Sequence, residues 1–342
     1  MRLDVGNFAP SWFASVMGTG ALALVSKAYS SRLPALETFG KCIVYLNTVL
    51  FFALLLPWLL RWVKYRESAL KDLHHPVVCH FYGTIAVAML VLSADYLFIL
   101  RREFVAGVFW ATGTVLTVFF ALMIPYLMFI EGEIDLRTVT PAWFIPPVGL
   151  IVIPLSGSVI ASTLAGAARE ATYAINYFAW GSGFFLYLAL FAIVMHRFIA
   201  HEPLPCGMAP AIWINLGPIG AGTSTLYTLI KASDFVTVKE PFLVFGLLLW
   251  GFGIWWLLMA ILMTLHYLRK LNLPYSLAWW AFIFPLGAYV SATFNVGTTF
   301  GINAITDFGF ALYWLLLAMW LVTGGLTLRN FAFRGSERRE AS

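Results

Sequence analysis

The sequence has very little charge and few cysteines. Only 11% of its 342 residues are Asp, Glu, Lys or Arg, whereas a typical soluble domain carries about 25%. A chain that is 61% hydrophobic needs an apolar surrounding, so the composition indicates a membrane protein. The three cysteines (Cys42, Cys79 and Cys206) are far apart, which argues against a disulfide framework and against a zinc site. The basic residues form no stripe for phosphates, so we expect no nucleic-acid partner.

Motifs for enzymatic chemistry are missing as well. The sequence contains no G-x-S-x-G, no H-E-x-x-H and no P-loop. We therefore expect no enzyme, no cofactor and no metal site. His74, His75 and His80 could ligate a metal or a haem, but no opposing histidine pair stands at mid-depth in two other helices. A membrane redox subunit stays open as an alternative, which a haem spectrum would decide.

Ten apolar segments are each long enough to cross a bilayer, which takes roughly 20 residues. The connections between them are short, so we predict an all-α polytopic membrane protein. A single transmembrane domain covers 1–330 and a short basic tail covers 331–342. The predicted spans are 8–26, 42–62, 76–98, 104–129, 141–164, 172–198, 210–230, 241–266, 275–298 and 304–328.

Ten spans place both termini on the same side of the membrane. On that side we count 13 Lys and Arg residues, against 8 on the other side. Cytoplasmic loops carry the excess of Lys and Arg. We therefore predict a multi-pass protein of the cell membrane with its N- and C-termini in the cytoplasm.

The prolines divide the ten segments into two kinds. Nine of the sixteen prolines fall in odd-numbered segments and three in even-numbered ones. Proline breaks a helix, and lipid offers no partner for the freed backbone groups, so broken helices need protein or water around them. The pattern predicts five helical hairpins, with an inner ring of odd-numbered helices lining a pore and an outer ring of even-numbered helices. The alternative is that the prolines merely kink membrane helices. The candidate kinks are Pro10, Pro76, Pro147, Pro218 and Pro285.

The odd-numbered segments carry no charged residue at mid-depth. This argues against a buried carboxylate relay. It suits a small anion that meets weak sites, because helix ends at the breaks present partial positive charge. Each polar side chain in these segments either lines the path or bonds between helices. The candidates for the path are Ser15, Thr19, His80, Thr84, Ser156, Asn215, Thr223, Ser224, Ser291 and Asn295.

One phenylalanine in the ninth segment stands out. The stretch 278–290 reads A-W-W-A-F-I-F-P-L-G-A-Y-V and places Phe284 directly before Pro285. Phe284 follows Tyr275, where the span begins, by nine residues, which is roughly 13 Å at 1.5 Å per residue. A phenyl ring at that depth in a narrow pore would close it by sterics and dewetting. The alternative is that Phe284 packs between helices like most other phenylalanines.

Five stretches together carry a family resemblance. They are N-F-A-P-S-W-F-A-S-V-M-G-T-G from Asn7, L-H-H-P from Leu73, T-P-A-W-F-I-P-P-V-G from Thr140, W-I-N-L-G-P-I-G from Trp213 and W-W-A-F-I-F-P-L-G from Trp279. The sequence resembles the tellurite-resistance/dicarboxylate transporter family, which includes TehA-type proteins, yeast malate permease and sulfite exporters, and plant slow anion channels.

The resemblance implies ten helices in five hairpins and a homotrimer in which each subunit has its own pore. It also implies an occluding phenylalanine in the ninth helix. By its position in W-W-A-F-I-F-P this residue is Phe284, with Phe282 as the second choice. The resemblance does not fix the substrate, because members carry C4-dicarboxylates, sulfite, chloride, nitrate or tellurite-related anions.

Residues and resemblance together predict the passage of small inorganic or carboxylate anions through a phenylalanine-gated pore in the lipid bilayer. The protein would act as an anion channel or a facilitative transporter. The alternative is a proton-coupled C4-dicarboxylate (malate) transporter or a sulfite/tellurite exporter. In that case His75, His80 or Asp95 would carry the coupling.

Overall fold

A computed structural model describes residues 5–132, 134–271 and 273–340, and for residue 131 and residues 332–340 it describes the backbone alone. Arg2, which contributed to the charge count, and residues 341–342 of the predicted tail lie outside these ranges. Within the described ranges the regular structure is entirely helical.

Twelve α-helices are assigned within the described ranges. They are α1 (Phe13–Ala28), α2 (Ala35–Lys64), α3 (Arg66–Leu73), α4 (Gly83–Phe98), α5 (Glu103–Glu131), α6 (Ile145–Val152), α7 (Pro154–Thr163), α8 (Gly166–Ala200), α9 (Leu216–Ala232), α10 (Glu240–His266), α11 (Ile283–Phe300) and α12 (Asn303–Glu340). A π-helical turn, Tyr267–Leu271, extends α10. The predicted tail is therefore not separate from the last helix, because the α12 backbone continues to Glu340.

Eight helical segments are long and apolar enough to cross a membrane. They are Ala35–Lys64, Val78–Phe98, Glu103–Ile130, Pro141–Thr163, Gly166–Ala200, Glu240–Leu271, Leu277–Phe300 and Asn303–Phe331. The first and seventh predicted spans contain the shorter helices α1 and α9, with 16 and 17 residues. The chain is a multi-pass, all-helical membrane protein on this evidence.

Burial separates the long segments into two classes. In three of them, Val78–Phe98, Pro141–Thr163 and Leu277–Phe300, between 61% and 83% of the most apolar stretch is buried. In the other five the buried share is 28–33%. Helices α1 and α9 belong to the first class, because most of their residues are buried. We call 10–28, 78–98, 141–163, 206–232 and 277–300 the buried segments.

The buried segments contact one another in a closed circuit. Helix α1 contacts α4, α4 contacts α6, α6 contacts α9, α9 contacts α11, and α11 returns to α1. Each buried segment also packs on the exposed helix that follows it in the chain, namely α2, α5, α8, α10 or α12. The apolar outer faces of these five helices are the surface that lipid can cover.

Every buried segment begins with a 3₁₀ helix and continues as an α-helix. The 3₁₀ stretches are Pro10–Trp12, Val78–Tyr82, Pro141–Phe144, Cys206–Asn215 and Leu277–Phe282. We call the end of the bundle where these stretches lie the cavity end, and the end where the segments finish the far end.

The candidate kink prolines lie near these changes of helix type. Pro147, Pro218 and Pro285 are each the third residue of an α-helix. Pro10 opens its 3₁₀ stretch, and Pro76 lies in the turn before Val78. Since the first four N–H groups of an α-helix have no acceptor within it, proline is tolerated there. At Pro147, Pro218 and Pro285 the chain therefore loses no hydrogen bond from the middle of an α-helix. The segment 141–163 is interrupted at Ile153, and Pro154 opens α7.

Candidate functional site

A cavity of about 300 Å³ lies between the beginnings of all five buried segments. It reaches no further along these segments than Met17, Thr84, Val148, Gly217 and Pro285. The complete lining is Ser11, Ala14, Met17, Phe81, Thr84, Ala142, Ile145, Val148, Met208, Ala211, Ile214, Gly217, Ser276, Leu277, Ala278, Trp280, Ala281, Phe284 and Pro285.

The lining residues follow a period of three along the chain. One row is 208, 211, 214 and 217, a second is 142, 145 and 148, and a third is 11, 14 and 17. The other two segments supply 81 and 84, and 278, 281 and 284. A 3₁₀ helix has three residues per turn, so side chains at i and i+3 eclipse one another and form a straight row. Residues 208, 211 and 214 lie within one 3₁₀ stretch. The other four rows pass from the 3₁₀ stretches into the first turns of the α-helices.

The cavity is almost wholly apolar. Its lining includes three hydroxyl side chains and no charged side chain. The Thr84 hydroxyl lies 2.9 Å from the carbonyl oxygen of Pro10 and 2.6 Å from that of Phe81, and Ser276 donates to the carbonyl of Gly207 at 3.0 Å. A small polar solute would therefore find few groups to hold it and would leave quickly.

Five α-helices begin around this cavity. Helices α1, α4, α6, α9 and α11 each contribute residues of their first two turns to the lining. The N-terminal end of an α-helix carries a partial positive charge. Each α-helix continues a 3₁₀ stretch whose carbonyl oxygens accept from its first N–H groups, so the partial positive charge lies at the start of the whole helical segment. These five starts lie at the cavity end, where they favour negative solutes although no cationic side chain lines the cavity.

Phe284 lies where the cavity ends and is 7% exposed. A Cβ atom on Gly217 of the facing helix α9 would lie 3.8 Å from the Cε1 atom of the Phe284 ring. Glycines let α11 approach its neighbours closely, because a Cβ on Gly220 would stand 2.4 Å from the backbone nitrogen of Tyr289. The ring of Phe284 thus lines the cavity from a tightly packed helix.

Phe282, the second choice for the occluding residue, does not line the cavity. Its ring makes edge contacts with Trp213, at 5.5 Å between centroids, and with Trp279, at 5.6 Å. Residues two apart on a helix point to different sides, since each residue turns the chain by about 100° in an α-helix and about 120° in a 3₁₀ helix.

Thr84 is the one candidate polar residue that lines the cavity. The hydroxyl of Thr19 accepts a hydrogen bond from Trp320 Nε1 of α12, and Thr223 bonds to the carbonyl oxygens of Ile219 and of Gly246 in α10. These two side chains serve contacts between helices.

Four more candidates are buried away from the cavity. Ser15 bonds to the backbone of its own helix, at the carbonyl of Trp12. Ser156 bonds to Ser93 at 2.8 Å. The His80 ring stacks on Trp143 with 5.2 Å between centroids. Asn215 is fully buried and is absent from the lining.

The remaining candidates, Ser224, Ser291 and Asn295, lie in α9 and α11 beyond the cavity, toward the far end. The hydroxyl oxygens of Ser224 and Ser291 are 3.5 Å apart, so the two helices face each other here.

The residues proposed for proton coupling also lie outside the central cavity. Asp95 is fully buried, and one of its carboxylate oxygens is 3.4 Å from Nδ2 of Asn47. His75 accepts hydrogen bonds at Nδ1 from the backbone N–H groups of Val77 and Val78, both at 3.2 Å. His75 lines a second cavity of about 320 Å³ at the cavity end. In the described part of the chain, no group of three or more His, Cys, Asp or Glu side chains is placed to hold a metal ion.

Most of the cavity lining was not predicted from the sequence. We selected polar residues, whereas the rows are formed largely by alanine, methionine and branched aliphatic side chains. A signal was present, because small or flexible side chains recur every third residue at Ala14 and Met17 and at Ala278 and Ala281.

Comparison with known sequences identifies relatives along nearly the whole chain. The model of the SLAC1 family, described as voltage-dependent anion channel, matches residues 7–328. An uncharacterized transporter of Methanocaldococcus jannaschii is 54% identical, over 94% of this chain and 93% of the relative. A sulfite efflux pump of Arthroderma otae is 27% identical, over 95% and 91%. A malic acid transport protein of Schizosaccharomyces pombe is 23% identical, over 95% of this chain and 78% of the relative.

Proposed function

Because the chain belongs to the SLAC1 family of voltage-dependent anion channels, we propose that it passes small anions across the cell membrane along a path lined by the five buried segments. Relatives in this family are transporters or channels rather than enzymes. The path is closed at Phe284, and the protein acts as an anion channel or facilitative transporter.

The proposal includes a ten-helix arrangement. The five buried segments cross the membrane as an inner ring, and α2, α5, α8, α10 and α12 form an outer ring, giving five hairpins. The closed circuit of contacts and the two classes of burial support it. Helices α1 and α9 reach the length of a span when their 3₁₀ extensions are included. Both termini are cytoplasmic and the assembly is a homotrimer, as the charge distribution and the family resemblance suggested.

The observation that carries the function is the electrostatic character of the central cavity. Five helical segments begin at its end of the bundle, and its lining holds no carboxylate that would repel an anion. A site built from helix ends attracts an anion without the tight hold of a buried lysine. Weak attraction of this kind allows rapid exit, which conduction requires.

Sulfite and malate are the substrates that two relatives suggest. A proton-coupled malate transporter or a sulfite/tellurite exporter therefore stays as the second candidate. The positions of His80 and Asp95 favour the uncoupled path, because neither side chain lines the cavity through which the anion would pass.

The gate is tested with purified protein in liposomes. We expect Phe284→Ala to raise chloride, nitrate and sulfite flux by at least about tenfold, since lowering the barrier by about 1.4 kcal/mol suffices. Phe282→Ala is the matched control, because that ring packs between tryptophans outside the cavity. An unchanged flux in a folded Phe284→Ala protein would contradict the proposal that Phe284 closes the path.

The same liposomes separate the two candidate functions. Flux through Phe284→Ala that is indifferent to an imposed pH gradient supports the uncoupled path. Flux of malate or sulfite that follows the gradient, in the variant and in the wild type, supports the coupled transporter.

A further inference from the structure

One polar face of α9 continues from the central cavity to the far end. Ser224 follows the lining residue Gly217 by seven residues, and Thr228 and Lys231 follow Ser224 by four and seven. Residues with this spacing lie on one side of an α-helix. Ser224 is buried, Thr228 is partly exposed and Lys231 is exposed. Access along this face therefore grows toward the far end.

Helix α11 carries a matching face. Ser291, Asn295 and Thr299 follow Phe284 at seven, eleven and fifteen residues, and all three are partly exposed. The two faces meet at both ends, because the hydroxyls of Ser224 and Ser291 are 3.5 Å apart and Lys231 Nζ donates to Thr299 Oγ1 at 2.7 Å. Hydroxyl and amide groups thus follow one another along the two facing helices from Phe284 to the far end.

Lys231 places positive charge where these two faces end. Its ammonium lies 5.6 Å from the centroid of the Tyr227 ring, and the side chain of Lys239 donates to the Lys231 carbonyl oxygen at 3.1 Å. In the described part of the chain no carboxylate forms an ion pair with Lys231. The two neighbouring ammonium groups leave a local excess of positive charge.

Four other basic side chains near the far end are ion-paired. Lys27 and Lys41 share Glu37, Arg32 pairs with Asp307, and Arg169 pairs with Asp234. The hydrogen bond from Arg169 lowers the pKa of the Asp234 carboxyl, so this acid stays ionised and engaged with its partner. Lys231 lies outside these ion pairs and at the end of the two polar faces, whereas Arg101 and Arg102 of the same end lie in the turn between α4 and α5.

We propose that Lys231 and Thr299 form an anion-binding site at the far mouth of the pathway, which concentrates small inorganic or carboxylate anions for passage along the faces of α9 and α11. The site rests on the proposed function. A partly hydrated ammonium beside hydroxyl groups attracts anions over a long range and holds them weakly. Such a site raises the rate of entry at low anion concentration without trapping the anion.

A merely structural role is the competing explanation. A lysine in the last turn of a helix interacts favourably with the helix end, and Lys231→Gln would then alter stability and leave entry unchanged. Salt distinguishes the two roles. The range of electrostatic attraction is roughly 30 Å at 0.01 M salt but only roughly 3 Å at 1 M.

The experiment measures chloride flux from the far side of Phe284→Ala liposomes. Adding Lys231→Gln should lower flux about fivefold at low salt, and the difference should vanish near 1 M salt. Lys231→Arg keeps the charge and should restore the flux. Lys41→Gln is the matched control, because this lysine of the same end is already paired with Glu37.

A second measurement does not depend on transport. Chloride NMR line broadening by solubilised protein should be weaker for Lys231→Gln than for Lys41→Gln. Equal broadening, or equal flux at low salt in a folded Lys231→Gln protein, would overturn the site. Absence of flux in Phe284→Ala with normal broadening would instead count against the proposed function alone.

Discussion

At the scale of single residues, Phe284 lines the cavity whereas most of the polar candidates do not. Thr84 is the one polar candidate among the lining residues. Thr19, Thr223 and Ser156 bond to neighbouring helices instead. Within a bilayer a hydroxyl gains most by finding a protein partner, and a single sequence does not show which face that partner occupies.

Gly20 of α1 lies in close contact with α2 and α4. A Cβ atom there would stand 2.4 Å from Val91, 2.7 Å from the Asp95 carboxylate and 2.9 Å from the Asn47 amide. We expect Gly20→Ala to destabilise the protein by about 1–3 kcal/mol, because the buried neighbours have no room to move. Thermal unfolding of the solubilised protein measures this.

The control for that measurement is Gly107→Ala in α5. A Cβ atom at Gly107 meets nothing within 4 Å, and alanine favours the helix over glycine. The melting temperature of Gly107→Ala should equal or exceed that of the wild type. If both variants melted alike, close packing at Gly20 would not be what limits stability.

At the scale of elements, the existence of spans was predictable and their geometry was not. Eight long helices match predicted spans, because long apolar runs have few alternatives in a membrane. The prolines were expected to break helices in the inner ring. The structure shows such a break at Pro154, which separates α6 from α7. It places Pro147, Pro218 and Pro285 in first turns, while Pro57 and Pro125 lie inside the exposed helices α2 and α5.

The 3₁₀ rows make a prediction about accessibility. In a protein with its native cysteines replaced by serine, single cysteines at Met208, Ala211 and Ile214 should react with a hydrophilic thiol reagent, because they line the cavity. Cysteines at Ala209 and Ile212 should be protected, since both positions are buried outside it. Mass spectrometry reads the modification. Reaction at Ile212 and Asn215 instead of Ala211 and Ile214, which 3.6 residues per turn would give, would contradict the straight row.

At the scale of the whole molecule, the family was predictable and the assembly remains a proposal. The motifs indicated the tellurite-resistance/dicarboxylate transporter family, and the SLAC1 match over residues 7–328 confirms that relationship. Contacts within one chain carry no information about a trimer or about the direction of insertion.

The direction of insertion has its own test. We expect a fluorescent protein fused after residue 342 to be bright and alkaline phosphatase at the same place to be inactive, because both termini are proposed to be cytoplasmic. The matched control joins the same reporters after Gly301, at the far end between α11 and α12, where the activities should be reversed. Active phosphatase at the C-terminus would invert the proposed orientation.

The ten-residue 3₁₀ stretch Cys206–Asn215 has a mechanical consequence. A 3₁₀ helix rises about 2.0 Å per residue and an α-helix 1.5 Å, so rewinding this stretch as α would shorten it by roughly 5 Å. The same rewinding would turn successive side chains by about 20° less per residue, because 360° is then divided among 3.6 residues instead of 3. The row that faces the cavity would rotate out of line. A change of helix type would therefore alter both the length and the rotation of this part of the cavity lining, with no hinge residue required.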